Sequence, residues 1–244
     1  MLLRLDQISK RHAGPRGPRV ALEGVSLQVD RGQIVGIYGA SGAGKSSLLR
    51  IAAGMLMPDS GDVIYDGRRL CELPGRERVR LRRREIACVW ERCEESRLRV
   101  IDHVAMPLLI DRVEHRTAQR RAKEALLACE VDHLAPVELD QLSEGERQRV
   151  TIARALVIEP RLLLADSPAS RLSIVEQEAI ISLLRALSHE ANVAVLIAER
   201  DAQALIGADT VLCLSEGRLI QAPAEREGNV VALPLRPRRA SSRR

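Results

Sequence analysis

Residues 34–53 read I-V-G-I-Y-G-A-S-G-A-G-K-S-S-L-L-R-I-A-A, and no other stretch constrains the chain as much. The opening apolar run bounded by Gly is the pattern of a buried central strand. The closing S-L-L-R-I-A-A has helical spacing. Between them Gly39, Ala40, Ser41, Gly42, Ala43, Gly44, Lys45 and Ser46 match G-x-x-x-x-G-K-[ST], with Ser47 next in line. Such glycines let consecutive backbone N–H groups turn inward, in a loop that a Cβ would obstruct. The following helix points its positive end at the same place. Strand, loop and helix thus come in the order a phosphate cradle requires, and the motif predicts nucleotide binding. Lys45 is placed to reach the terminal phosphates, and the Ser46 hydroxyl to sit on Mg²⁺.

Two further motifs extend this reading. Asp166 follows the apolar run L-L-L-A, so it ends a buried strand, where a carboxylate holds Mg²⁺ through water. Leu142, Ser143, Glu144, Gly145 and Glu146 open L-S-E-G-E-R-Q-R-V. Ser143 is a helix cap and Glu146, three residues on, completes a capping box. That helix start, with a Ser hydroxyl and Gly145, is a second anion site about a hundred residues beyond the first. One chain gains little from two distant phosphate-binding helix ends. Two chains related head to tail would close both on one nucleotide.

The remainder predicts an α/β fold. L-L-R-L-D-Q-I and V-S-L-Q-V-D alternate as two antiparallel strands, and V-I-Y-D-G is a strand ending in a turn. Residues 76–85 are Arg-rich and read as a helix, before the strand I-A-C-V-W. From about 92 to 159 the chain reads as helical throughout, with a kink expected at Met106-Pro107. The strands R-L-L-L-A-D and V-A-V-L-I-A follow, separated by a helix at about 174–190; T-V-L-C-L and L-I-Q close the body. Strands alternating with helices around a helical insert give an α/β core with a helical subdomain. With only Tyr38, Tyr65, Trp90 and no Phe, the core must be built from Leu, Val, Ile and Ala.

Together, G-A-S-G-A-G-K-S-S, L-S-E-G-E-R-Q-R-V and L-L-L-A-D-S-P-A-S-R-L-S resemble the Walker A, signature, and Walker B and D-loop motifs of ABC-transporter ATPase subunits. The resemblance spans residues 1–222 in the correct order. The run G-E-R-Q-R-V-T-I-A-R-A-L looks most like the lipoprotein-release, macrolide-export and cell-division branch. It implies a P-loop NTPase of ABC type, with a mixed central sheet, an antiparallel β subdomain and a helical subdomain at about 92–159. It also implies ATP and Mg²⁺ as ligands and a dimer whose helical subdomains dock on membrane permease subunits. That places the chain in the cytoplasm, peripheral on the inner face of the membrane.

Several positions depart from the family pattern. The Glu after the Walker B Asp, general base for the attacking water, is Ser167. The switch His is Arg200, the D-loop Asp is Ser173, the Q-loop Gln is Glu91, and the first signature Gly is Glu144. The adenine-stacking aromatic corresponds to His12, whose imidazole also stacks. Glu91 keeps an oxygen for Mg²⁺ but adds negative charge, and is the first candidate for a displaced base. A positioned general base contributes about 10²–10⁴-fold in rate, and Ser167 has neither the charge nor the basicity to replace it. Glu144 either faces the partner's nucleotide or turns to solvent. At about 7 Å and an effective dielectric of about 20, the first arrangement costs on the order of 2 kcal/mol. The resemblance thus implies an ATP-binding subunit with an impaired site, paired with an intact ATPase subunit. The alternative is a homodimeric ATP-responsive scaffold of a membrane complex that is not a transporter.

Charge and cysteines set outer limits. The last nine residues carry five Arg and no acid, which accounts for the whole net charge of +5. Residues 223–244 read as a basic disordered tail, with weak contact to anionic lipid as its functional reading. Nucleic-acid handling has that tail as its only support and is not expected. No run approaches 18 apolar residues, and the first residues lack the layout of a signal peptide. Five widely spaced Cys, with no C-x-x-C pair, argue against a disulfide framework or a zinc site. Cys93, two residues past Glu91, is the one expected to be exposed.

Overall fold

The computed structural model describes residues 1–14, 17–90 and 97–221. Two sheets carry the described chain. The first is antiparallel: β1 (Leu3–His12) lies between β2 (Arg19–Val29) and β4 (Ser60–Tyr65), and the two-residue β5 (Arg68–Arg69) extends its edge. The second has six strands, β3 (Ile34–Tyr38), β6 (Ile86–Val89), β7 (Leu162–Asp166), β8 (Ala194–Glu199), β9 (Thr210–Ser215) and β10 (Arg218–Gln221), in the order β10-β9-β3-β8-β7-β6. Its members run parallel except β10, which returns antiparallel on β9.

The apolar runs explain why this sheet lies inside. Every residue of β7 and β8 is buried. Successive side chains on a strand face opposite ways. Leu163, Ala165, Val195 and Ile197 accordingly join one core, with the helical insert and α6 (Ile174–Ala191). Leu162, Leu164, Leu196 and Ala198 join the other, beneath α1 (Lys45–Ala52) and the antiparallel sheet. A sheet covered on both faces needs uninterrupted apolar strands. The aliphatic core follows, and Tyr65 is its one fully buried aromatic residue.

The Arg-rich helix forms as α2 (Gly75–Arg84), anchored by buried Leu81. In the insert, α3 (Val100–Ile110), α4 (His115–Ala128) and α5 (Glu144–Leu156) pack together. Buried Ala118, Ala122 and Ala125 let α4 approach its neighbours closely. One expectation changes here. The insert is not helical throughout: residues 129–143 form loop with two single 3₁₀ turns, Asp132–Leu134 and Leu139–Gln141. Buried Val131, Leu134, Leu139 and Leu142 peg that loop to the core, and their spacing of i, i+3, i+8 and i+11 imitates one face of a helix. The helix α3 contains Pro107 and runs on to Ile110.

Of the cysteines, Cys129 is buried and Cys71, Cys88 and Cys213 are half-buried. Burial pushes the Cys88 and Cys129 thiols up to about 12, which keeps both protonated and unreactive. Cys93, Glu91 and the basic tail lie outside the described residues.

Candidate functional site

The carboxyl ends of three adjacent strands assemble one cleft. β8 lies between β3 and β7, with Tyr38 opposite Glu199 and Asp166 opposite Ala198 in register. The loop after β3, Arg200 after β8, and Asp166 with Ser167 on β7 therefore emerge side by side. Open parallel sheets bind ligands at such ends. His12, Arg19, Ser41, Gly42, Gly44, Lys45, Ser46, Ser47, Asp166, Ser167 and Arg200 line the cleft. Sequence positions 150 residues apart are thus brought to one place.

The loop geometry demands its glycines. A Cβ on Gly39 would lie 2.1 Å from the Leu214 carbonyl oxygen, and one on Gly44 would lie 2.2 Å from that of Ala21. Gly44 also has φ 109°, which side-chain-bearing residues rarely adopt, and caps α1 without a side-chain hydrogen bond. The first N–H groups of α1 are left without a capping side chain, at the end of the helix that favours an anion. Lys45 is buried, and its ammonium donates to the carbonyls of Gly39 and, at 3.1 Å, Ala40. His12 Nε2 stands 2.9 Å from Ser47 Oγ.

Asp166 and Ser167 are both buried. Ser167 adopts φ 52°, and its N–H donates to the Ala198 carbonyl at 2.7 Å. A non-glycine residue in that region is strained, and such strain gathers where a site needs a sharp turn. Ser46 and Asp166 share the cleft as one hydroxyl and one carboxylate. This donor set fits Mg²⁺, which is held by one or two protein oxygens with phosphates and water completing its shell.

Two residues of this region escaped the motif reading. Arg19 reaches the cleft from the start of β2, and its Nη2 donates to the Gly42 carbonyl at 3.1 Å. Glu199 ends β8 and is only 2% exposed. Its Oε1 accepts the Ala169 N–H at 3.0 Å, tying the segment after Ser167 to the strand that carries Arg200. Burial pushes its carboxyl up to about 7, and Asp166 adds to the rise; the Ala169 and Arg200 N–H groups and Lys45 pull it back. Charge on a buried strand is a signal of its own, and V-L-I-A-E carries it. The register that sets Glu199 beside the turn after Asp166 lies between distant segments.

The L-S-E-G-E segment is not part of the cleft lining. Ser143 caps α5 and forms the expected capping box: its Oγ accepts the Glu146 N–H, and Glu146 accepts the Ser143 N–H at 2.9 Å. Leu142 is buried beneath it. Ser173 caps α6 in the same way, with Glu176. A Cβ on Gly145 would lie 2.6 Å from Glu176 Oε1, so the two helix starts are neighbours. Glu144 is exposed, on a small groove shared with Gln148 and residues 167–172. Ser167 belongs to both this groove and the cleft.

Comparison with known proteins agrees with this geometry. A family model described as ABC transporter matches residues 22–170. The sulfate/thiosulfate import ATP-binding protein CysA of Bradyrhizobium diazoefficiens is 37% identical over 211 residues. That match takes in 84% of this chain and 60% of the relative, so the chain spans about three-fifths of that protein's length. The bacterial ABC transporter cassette MJ0796, solved as a dimer, superposes with a TM-score of 0.81 at 29% identity, over 89% of this chain and 96% of that one. The same cassette was also solved as a post-hydrolysis dimer bound to ADP and Pi. CbiO1 of Clostridium perfringens, part of the ABC transporter complex CbiONQ, gives 0.80 at 26% identity, over 90% of this chain and 86% of that one. Among the described residues no helix is long and apolar enough to cross a membrane. With family model, relative and folds in accord, the chain belongs to the ABC transporter family as an ATP-binding cassette.

Proposed function

We propose that the chain is the ATP-binding subunit of an ABC transporter complex that holds ATP with little hydrolysis of its own and pairs with an intact ATPase subunit. One observation carries this reading: a complete phosphate cradle shares its cleft with Ser167 and Arg200, at the positions of the family's general base and switch His. The α1 N–H groups and Lys45 supply the anion site, and exchanging two carbonyl acceptors for phosphate oxygens gives the Lys45 ammonium oppositely charged partners. His12, held on Ser47, offers its ring to the base. Ser46 and Asp166 would hold Mg²⁺, which when bound neutralises charge on the phosphates.

The chemical half is weak. Ser167 is uncharged and cannot take a proton from water at neutral pH. Arg200 adds a positive charge to the same cleft, which favours holding the terminal phosphate over releasing it. The partners follow from the family: a second ATPase subunit across the α5 start, where Ser143 and Gly145 complete its nucleotide site, and permease subunits against the helical insert. Glu144 lowers the affinity of that closure without abolishing it. The likeness of the run G-E-R-Q-R-V-T-I-A-R-A-L supports membership of the lipoprotein-release, macrolide-export and cell-division branch. Residues 1–222 are the cassette, and the Arg tail beyond them makes weak contact with anionic lipid.

Co-expression with a neighbouring intact ATPase subunit tests the pairing. A stable mixed dimer is expected, and its phosphate release should fall at least tenfold when this chain carries Gly145→Asp. Homodimers alone, or a mixed dimer indifferent to Gly145→Asp, would contradict it.

A further inference from the structure

We propose that Arg19 is a phosphate-binding residue of the cleft, a second side-chain cation that joins Lys45 on the nucleotide. This deepens the nucleotide reading above and depends on it. β1 and β2 end together, with His12 and Arg19 opposite each other in register. The hairpin end therefore carries both side chains to the loop after β3: His12 meets Ser47, and Arg19 meets Gly42. Gly42 leaves the guanidinium its room, for a Cβ there would stand 2.7 Å from Arg19 Nη2.

Charge gives the contact its meaning. Many of the described arginines meet acids, as Arg218 does Glu23 and Arg161 does Asp66, while Arg78, Arg82 and Arg147 donate to carbonyls. Among the described residues Arg19 is in no ion pair, and the partner it holds is the neutral Gly42 carbonyl. A guanidinium carries five N–H donors in a planar fork suited to two phosphate oxygens. Exposed and beside an anion cradle, it gains by trading a neutral acceptor for an oppositely charged one, which adds the direct Coulomb attraction of two charges to the hydrogen bond. Among the described lining residues, Lys45, Arg19 and Arg200 then face the cleft with one carboxylate, that of Asp166. A merely structural Arg19, a strut holding the loop through Gly42, would act on every ligand alike. A phosphate ligand must act more strongly as the phosphate chain lengthens.

Fluorescence titration of AMP, ADP and ATP at fixed salt separates these roles, using wild type, Arg19→Ala, Arg19→Lys and Lys45→Ala. Arg19→Ala is expected to bind ATP and ADP about tenfold more weakly, to change AMP by less than threefold, and to flatten the salt dependence of ATP binding. Arg19→Lys should recover more than half of the loss on a logarithmic scale. Arg19 is exposed, so an unchanged melting temperature is expected for both variants. ATP binding within twofold of wild type, or an equal loss for AMP and ATP, would overturn the role of Arg19. In either case weakened binding by Lys45→Ala would leave the nucleotide site standing. Failure of wild type itself to bind ATP would overturn the site reading and the role of Arg19 with it.

Discussion

At the scale of single residues, the cleft separates holding a nucleotide from breaking it. Gly44 belongs wholly to holding: its φ of 109° and the Ala21 carbonyl beside it leave no place for a Cβ. Gly44→Ala should lower stability by about 1–3 kcal/mol and remove ATP binding, read by thermal melt and titration together. In the proposed function, Ser167 and Arg200 stand where the hydrolytic chemistry is lost. Restoring the family residues with Ser167→Glu and Arg200→His should raise phosphate release at least tenfold, the full contribution of a positioned base being about 10²–10⁴-fold. No gain from the double variant, in a protein that still binds ATP, would mean that the deficit lies elsewhere. These two positions were legible in the sequence because each sits at a fixed offset inside a recognisable motif. Glu199 and Arg19 were not, because their neighbours are set by strand register, between β7 and β8 and between β1 and β2.

At the scale of elements, two helix starts are closed by capping boxes, and one of them was read from its motif. S-E-G-E announced the α5 capping box, and S-I-V-E at 173–176 builds a second one at α6. The D-loop Asp of the family is Ser173 here, and both residue types cap helices well. Ser143→Ala should therefore cost about 1 kcal/mol, measured as a lower urea midpoint. The Ser143 N–H and hydroxyl hold the Glu146 carboxyl below the usual carboxylate range. A carboxyl depressed on folding stabilises fully above its unfolded value, and that contribution is lost as pH falls through the folded value. The Ser143→Ala deficit should thus be full at pH 6 and shrink below about pH 4.5; a deficit independent of pH would contradict the capping box. Residues 129–143 were the least legible element. Their buried Leu and Val anchor a loop, and apolar content alone does not distinguish an anchored loop from a helix.

At the scale of the whole molecule, three strands that are distant in sequence become neighbours, and the site exists only where their ends meet. Loop, strand and helix at 34–53 made the nucleotide fold readable, while unbroken apolar runs marked β7 and β8 as internal. The sheet order itself was not readable, since β8 inserts between β3 and β7 through pairings that leave no local trace. That order matters for function: it brings Arg200 between the cradle and Asp166, so one cleft contains both the intact and the altered positions. The proposed function requires this cleft to retain ATP without consuming it. The most direct test incubates the purified chain with Mg²⁺ and ATP, recovers the bound nucleotide at intervals, and measures its ADP fraction. Bound nucleotide that remains ATP, and is absent from Lys45→Ala, is the predicted result. Conversion to ADP that requires Lys45 would contradict the account and show that another group replaces the missing base.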